Sequence, residues 1–317
     1  MNFRIVSFTL GYLILGFCLG FAALIPFAVW FREWRELLAI LESIGISALV
    51  GCIFIVLGRN HAPDFFRREA IAVTGLAWST CSVLGGLPFY LGGMTPSFVD
   101  AVFESTSGLT TTGGSILVTI EDKAGSLLVW RSLLHFMGGL GIIVFFIALM
   151  PGFNLGGKTL FKQEVAGPVV EGLTPRIRDT AIRLIYLYLA LNALLFILLM
   201  ATGLNAFDAF NHAISTVATG GFTNRNDSCA SFPPLAQWVI IIGMMISATN
   251  FTLHLELVRG NWRAYWRNTE FRTFACITVL VTTIVAVLLY VEATNAVSET
   301  GEWNFRDAAF AVASIFS

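Results

Sequence analysis

Seven apolar stretches dominate the sequence, at roughly 5–30, 37–57, 70–92, 126–150, 181–203, 234–258 and 271–292. Each reaches the about 20 residues that a helix rising 1.5 Å per residue needs to cross a ~30 Å hydrocarbon layer. Lipid offers the backbone no hydrogen-bond partners, so a segment lying in it must bond internally, as a helix does. Composition agrees. Of 317 residues, 56% are hydrophobic and only 12% charged, too little polar surface to cover a water-soluble body of this size. A count of 28 Phe excludes disorder, and a net charge of −1 removes any basic field for nucleic acid. The fold class expected is an all-α polytopic membrane protein in a lipid bilayer.

The first stretch exceeds the ~7–15-residue apolar region of a signal peptide and is read as a retained span. Cys18, Cys52, Cys81, Cys229 and Cys276 form no C-x-x-C pair. They read as small buried hydrophobes, not as a disulfide or metal framework. With the N-terminus placed in the cytoplasm, thirteen Lys/Arg fall on the inner side and five on the outer, Arg131 lying within a span. That bias orients the chain, since basic residues stay inside.

The outer connections 93–125, 204–233 and 293–317 each hold a semi-apolar stretch too short to cross. Backbone that dips into the membrane and returns must be shielded by protein or a water-filled cavity, so re-entrant hairpins are expected. These stretches repeat. Asp100-Ala101 leads to Ser107, Asp208-Ala209 to Ser215 and Asp307-Ala308 to Ser314, with Phe98, Phe207 and Phe305 just before. Gly113 and Gly221 follow six positions after the serine, and the third copy reaches Ser317 before its own glycine. Two crossings plus one hairpin return the chain to the same side, so the copies run parallel around an axis along the membrane normal.

Asp100, Asp208 and Asp307 are expected as N-caps of short helices running inward. The helix C-termini then point into the membrane, where their partial negative charge favours a cation. Gly108–Ser115 after the first helix and Val217–Phe222 after the second are rich in Thr and Gly. Such loops can present rings of carbonyls that replace the water around a cation. The first loop brushes a phosphate-binding G-x-x-x-x-G-K-[ST] pattern, but Gly114 stands where lysine is required.

Within the spans, Arg131 and His135 share one helix face, suited to snorkelling or helix pairing. Glu42 is expected at the interface or paired, Asn250 bonded between helices, and His254 and Glu256 on diverging faces near the inner interface. Gly16 and Gly20 form a G-x-x-x-G packing motif. An intramembrane metal- or His-dependent enzyme is an alternative from another class, yet no H-E-x-x-H or G-x-S-x-G is present. A non-conducting structural subunit is a further alternative.

FESTSGLTTTGG (103–114), HFMGGLGIIV (135–144), EVAGPVVEGLTPRIRDTA (164–181) and STVATGGF (215–222) resemble the Trk/Ktr/HKT potassium transporters, most closely their bacterial TrkH-type members. The resemblance implies potassium-channel-like repeats, each of helix, re-entrant pore helix with filter loop, and helix, around a pseudo-fourfold axis. It implies a filter at Thr110, Thr111, Thr112 and Gly113, then Ala218, Thr219, Gly220 and Gly221, with potassium there as cargo, no cofactor and no enzyme activity. The chain then divides into two N-terminal transmembrane helices (1–69), a first pore repeat with cytoplasmic connector (70–180), a second (181–270) and an incomplete third (271–317). Also implied are the bacterial inner membrane, a homodimer, and a cytosolic TrkA-type nucleotide-binding partner meeting the basic inner segments 151–180 and 259–272.

Overall fold

A computed structural model describes residues 1–59, 67–141, 176–295 and 305–317, and among them it is helical with no strand. The helices are α1 (Phe3–Ala22), α2 (Ile25–Phe31), α3 (Trp34–Gly58), α4 (Arg67–Gly85), α5 (Leu87–Leu91), α6 (Phe98–Leu109) and α7 (Gly125–Leu140). After the undescribed connector come α8 (Arg176–Ala201), α9 (Ala206–Val217), α10 (Pro234–Ala248), α11 (Phe251–Val258), α12 (Arg263–Arg267), α13 (Thr269–Asn295) and α14 (Phe305–Phe316).

Five segments are long and apolar enough to cross a membrane: Phe3–Phe31, Trp34–Gly58, Ile71–Leu91, Ile182–Ala201 and Thr269–Val291. The fourth expected stretch begins as α7, and its remainder, 142–150, lies outside the described residues. The sixth is not one straight crossing. α10 and α11 meet at 98°, because Thr249 is extended (ψ 143°) and Asn250 starts a new helix. The Asn250 side-chain oxygen accepts the Thr252 N–H at 3.0 Å, while its amide reaches Glu270 at 3.4 Å. Asn250 is therefore first a helix cap and only secondarily an interhelical bond.

α1 and α3 cross with their backbones touching. A methyl group on Gly11 would lie 2.6 Å from the Gly51 carbonyl oxygen, and one on Gly58 only 2.4 Å from the Phe8 nitrogen. Gly20 instead faces the side chains of Met137 and Trp130, so the close helix contact uses other glycines than the G-x-x-x-G.

Two apolar clusters follow, each wrapped around a short helix. The first joins Phe17, Phe21 and Trp130 to Cys81, Ala101, Leu109 and Leu134 about α6. Trp130 donates its indole N–H to the Gly85 carbonyl at 2.8 Å, where α4 gives way to α5. The second joins Tyr188, Leu195, Ala213, Ile240 and Met244 about α9 and takes in Ala309 and Ala313 of α14. The alanine after each repeated Asp, at 101, 209 and 308, is 0% exposed, which explains why a small residue recurs there. Cys18, Cys81 and Cys229 are buried, but Cys52 and Cys276 are exposed on α3 and α13. An apolar run buries only its protein-facing side; the other side is left for lipid.

α7 has no cap of its own. The carboxylate of Glu33, between α2 and α3, accepts the N–H groups of Gly125 (2.6 Å) and Ser126 (2.9 Å) and the Ser126 hydroxyl. These are orphan donors of a helix start, and the anion also suits the positive end of the helix dipole. Glu33 thereby pins the N-terminal end of α7, the helix on which both loops rest.

Candidate functional site

α6, α9 and α14 are each 12 residues long and end at equivalent places in the repeat, Leu109, Val217 and Phe316. Their first turns correct the expectation for the aspartates. The N-caps are Ser97 and Asn205, whose side-chain oxygens accept the N–H of Asp100 at 3.1 Å and of Asp208 at 2.8 Å. Asp100 and Asp208 sit three residues further on, and Asp307 is likewise inside α14. A carboxylate in the first turn still gains from the helix dipole, so the position keeps its acid without capping. Asp208 is almost fully buried, and its carboxylate accepts from Asn224 at 2.6 Å and from Arg225 at 2.6 Å. Its charge is thus compensated within the protein.

Beyond each helix the chain leaves by the same route. Thr110, Thr111 and Thr112 donate their N–H groups to the carbonyls of Thr106, Gly108 and Ser107 at 2.8, 3.1 and 2.9 Å. Ala218, Thr219 and Gly220 donate to Ile214, Thr216 and Ser215 at 3.0, 3.0 and 2.9 Å, bond for bond in the same register. The backbone then alternates in hand. Thr111 (φ 52°) and Gly113 (φ 74°) in the first loop match Thr219 (φ 53°) and Gly221 (φ 87°) in the second. Left-handed backbone is costly for threonine and free for glycine, so two unrelated turns would not share this pattern by accident.

The two loops touch. A methyl group on Gly113 would lie 2.0 Å from the Gly220 carbonyl oxygen. Thr110–Gly113 and Ala218–Gly221, predicted from two places 108 residues apart, are therefore brought to one locus. Thr112, Thr219, Gly220 and Gly221, together with Phe310 and Ser314 of α14, line a cavity of about 240 Å³. A second cavity of about 460 Å³ opens at the ends of α7 and α10, lined by Gly138–Gly141, Thr249, Asn250 and Glu270. Carbonyl ends of two helices and a carboxylate there favour positive charge.

One face of α7 supports both loops. Gly138 lies against the Leu109 carbonyl and Gly139 against Ala218, and a methyl group would come within 2.0 and 2.9 Å respectively. One turn toward the start of α7, the His135 ring abuts Gly220, bonds Ser215 Oγ through Nδ1 at 3.2 Å and stacks on Phe222 at 4.3 Å. A further turn toward the start of α7, Arg131 is 2% exposed and pairs with Glu104, 0% exposed, at 2.7 Å. Arg131 does not snorkel; it is held inside by a carboxylate on α6. Sequence reasoning missed Glu104, although an acid inside a short intramembrane helix is a signal in itself. It also passed over Gly138 and Gly139, visible only as part of a motif.

The other polar candidates do not assemble. His254 is buried, its Nε2 3.0 Å from the Ile246 carbonyl and its Nδ1 on the Tyr265 hydroxyl, while Glu256 pairs with Arg259 at the protein surface at 2.7 Å. Among the described residues no group of three or more His, Cys, Asp or Glu could hold a metal. Glu42 is exposed on α3.

Short helices followed by two like loops, packed among helices long and apolar enough to cross a membrane, define an all-helical, multi-pass membrane protein with repeated half-length segments. A family model described as TrkH, cation transport protein, matches residues 41–301. The chain belongs to this family of cation transport proteins. A Trk system potassium uptake protein TrkH of Vibrio parahaemolyticus is 35% identical over 73% of this chain and 49% of its own length. The TrkH protein of Escherichia coli K12 is 31% identical over 92% of this chain and 61% of its own. The crystal structure of the potassium transporter TrkH from Vibrio parahaemolyticus superposes with a TM-score of 0.82 at 30% identity, covering 99% of this chain and 64% of that one. The chain thus spans about half to three fifths of the length of these curated relatives.

Proposed function

We propose that this chain supplies two pore repeats, and the opening of a third, to a potassium-uptake subunit. Thr110, Thr111, Thr112, Gly113, Ala218, Thr219, Gly220 and Gly221 form its selectivity filter. The observation that carries the reading is the shared backbone of the two loops: the same three hydrogen bonds, the same alternation of φ, and contact at Gly113 and Gly220. Carbonyls in that arrangement can stand in for the hydration shell of an alkali cation. Potassium as the cargo is supported by the names of the relatives. On this reading potassium is substrate, no cofactor takes part, and the subunit is a transporter and not an enzyme.

The same reading assigns 1–69 to two N-terminal transmembrane helices, 70–180 and 181–270 to the first and second repeats, and 271–317 to the third. It places the N-terminus in the cytoplasm, supported by the basic bias of the inner segments. It places the protein in a bacterial inner membrane as a homodimer joined by a cytosolic TrkA-type subunit. That subunit would meet Arg259, Arg263, Arg267 and Arg272 on the inner face; the other basic segment, 151–180, lies up to residue 175 outside the described residues.

The experiment is potassium uptake by the full-length protein in cells stripped of other uptake systems, with Gly113→Val or Gly221→Val. Valine at φ above +70° is strained, and at 113 it also collides with Gly220. Uptake is expected to fall at least about tenfold, since ~1.4 kcal/mol at an ion site is a decade. Unchanged uptake in both variants sinks the filter assignment.

A further inference from the structure

Glu104 and Arg131 form a buried ion pair directly behind the first loop, and its full set of contacts says more than that α6 is tied to α7. Glu104 accepts from the Ser115 hydroxyl at 2.9 Å and from the Ile116 N–H at 3.2 Å, holding the chain where it leaves the first loop. Arg131 gives Nε to Glu104 at 2.7 Å and one terminal nitrogen to Ser115 Oγ at 3.2 Å. Its other terminal nitrogen crosses to the second repeat and donates to the Thr223 carbonyl at 2.8 Å. The guanidinium also lies 4.1 Å from the centroid of Phe222, next to Thr223.

The second repeat supplies an internal control. His212 occupies the place of Glu104, Thr223 that of Ser115 and Val239 that of Arg131, all offset by 108 residues. His212 Nδ1 faces the Asp208 carbonyl at 2.8 Å, so it carries the proton, and Nε2 meets the Thr223 hydroxyl at 3.2 Å. The second loop exit is thus held to its own short helix by His212 and by the Asp208–Arg225 pair, all within one repeat. Burying an ion pair strips water from both charges, and apolar packing of the same volume is often as stable. Arg131 differs in that its one side chain bonds groups of both repeats at once. Arginine suits that task because its planar fork aims donors in several fixed directions, which an ammonium group cannot do.

We infer that Arg131 is a selectivity-positioning residue, whose bonds to Glu104 and Ser115 on one side and to the Thr223 carbonyl on the other fix the separation of the two filter-loop exits. It touches no ion. It acts through the backbone just outside Gly113 and Gly221, and the inference rests on the filter reading above.

The test compares potassium with sodium uptake by the full-length protein at matched membrane levels, in the wild type, Arg131→Lys, Ser115→Ala and Gly221→Val. Lysine keeps the charge beside Glu104 and loses the second reach. The ratio of potassium to sodium uptake is expected to fall about tenfold in Arg131→Lys, while a purely structural role would lower the amount of protein and leave the ratio alone. Ser115 is exposed, so Ser115→Ala folds even if Arg131→Lys does not; it is expected to lower the ratio about twofold to threefold, as loss of a single hydrogen bond would. A wild-type ratio in both Arg131→Lys and Ser115→Ala, with Gly221→Val impaired, overturns this inference alone. A Gly221→Val protein that discriminates normally overturns the filter reading and this inference with it.

Discussion

Gly138 offers a test in which helix propensity and function move in opposite directions. It lies inside α7, so alanine there improves helix propensity by about 0.8–1.0 kcal/mol. The added methyl would stand 2.0 Å from the Leu109 carbonyl oxygen, 2.9 Å from its carbon and 3.1 Å from Thr111 Cγ2. An ordinary contact is about 3.5–4.0 Å between such atoms, so the last carbonyl of α6 or α7 itself must yield by more than about 1 Å. Overpacking of this kind costs ~1–3 kcal/mol. The net change in stability is then a loss of about 2 kcal/mol at most, too small to unfold the protein. A shift of that size at Leu109 carries Thr110 and the loop after it. The assay is potassium and sodium uptake in uptake-deficient cells, with protein quantified in the membrane. Gly138→Ala is expected to reach the membrane and to lose at least about tenfold in discrimination, equal to ~1.4 kcal/mol. Gly75→Ala, where a methyl meets nothing within 4 Å, is the matched control and should transport as the wild type. If Gly138→Ala discriminates normally, the support of the loop by α7 is not what sets the site.

Two further substitutions probe the scaffold. Glu33→Ala strips the borrowed cap from Gly125 and Ser126 and should cost about 1–2 kcal/mol, read as a lower unfolding temperature in detergent; an unaltered transition would show that α7 needs no cap. Gly58→Ala places a methyl 2.4 Å from the Phe8 nitrogen and 2.5 Å from the Arg4 carbonyl oxygen, so α1 and α3 must separate at a cost of about 1–3 kcal/mol. Retention of the wild-type unfolding temperature would refute the backbone crossing as a stabilising contact.

Much of the candidate site was legible before any coordinates. Asp100 and Asp208, Ser107 and Ser215, Gly113 and Gly221 keep a common offset, and the structure gives the paired positions equivalent hydrogen bonds and equivalent φ. The caps were misplaced by three residues because Asp, Ser and Asn all cap helices well. Which of them does so depends on where the chain turns, and composition does not record that. The 98° break between α10 and α11 was hidden in a run that is apolar throughout, since hydropathy measures transfer into lipid and is blind to direction. Glu104 and Arg131 stand 27 positions apart with nothing local to link them. Only the packing of α6 on α7 makes one the partner of the other.

Hydropathy and repetition along the chain determined that this protein is helical, lies in a membrane, and builds two like loops. Those are local properties, written in segments of a few to about 20 residues. Tertiary structure alone decided that the loops meet at Gly113 and Gly220, that Gly138 and Gly139 seat them, and that Arg131 spans both exits. Each of these is a contact between segments distant in the chain, set by how helices pack, and a linear pattern carries no distance in space.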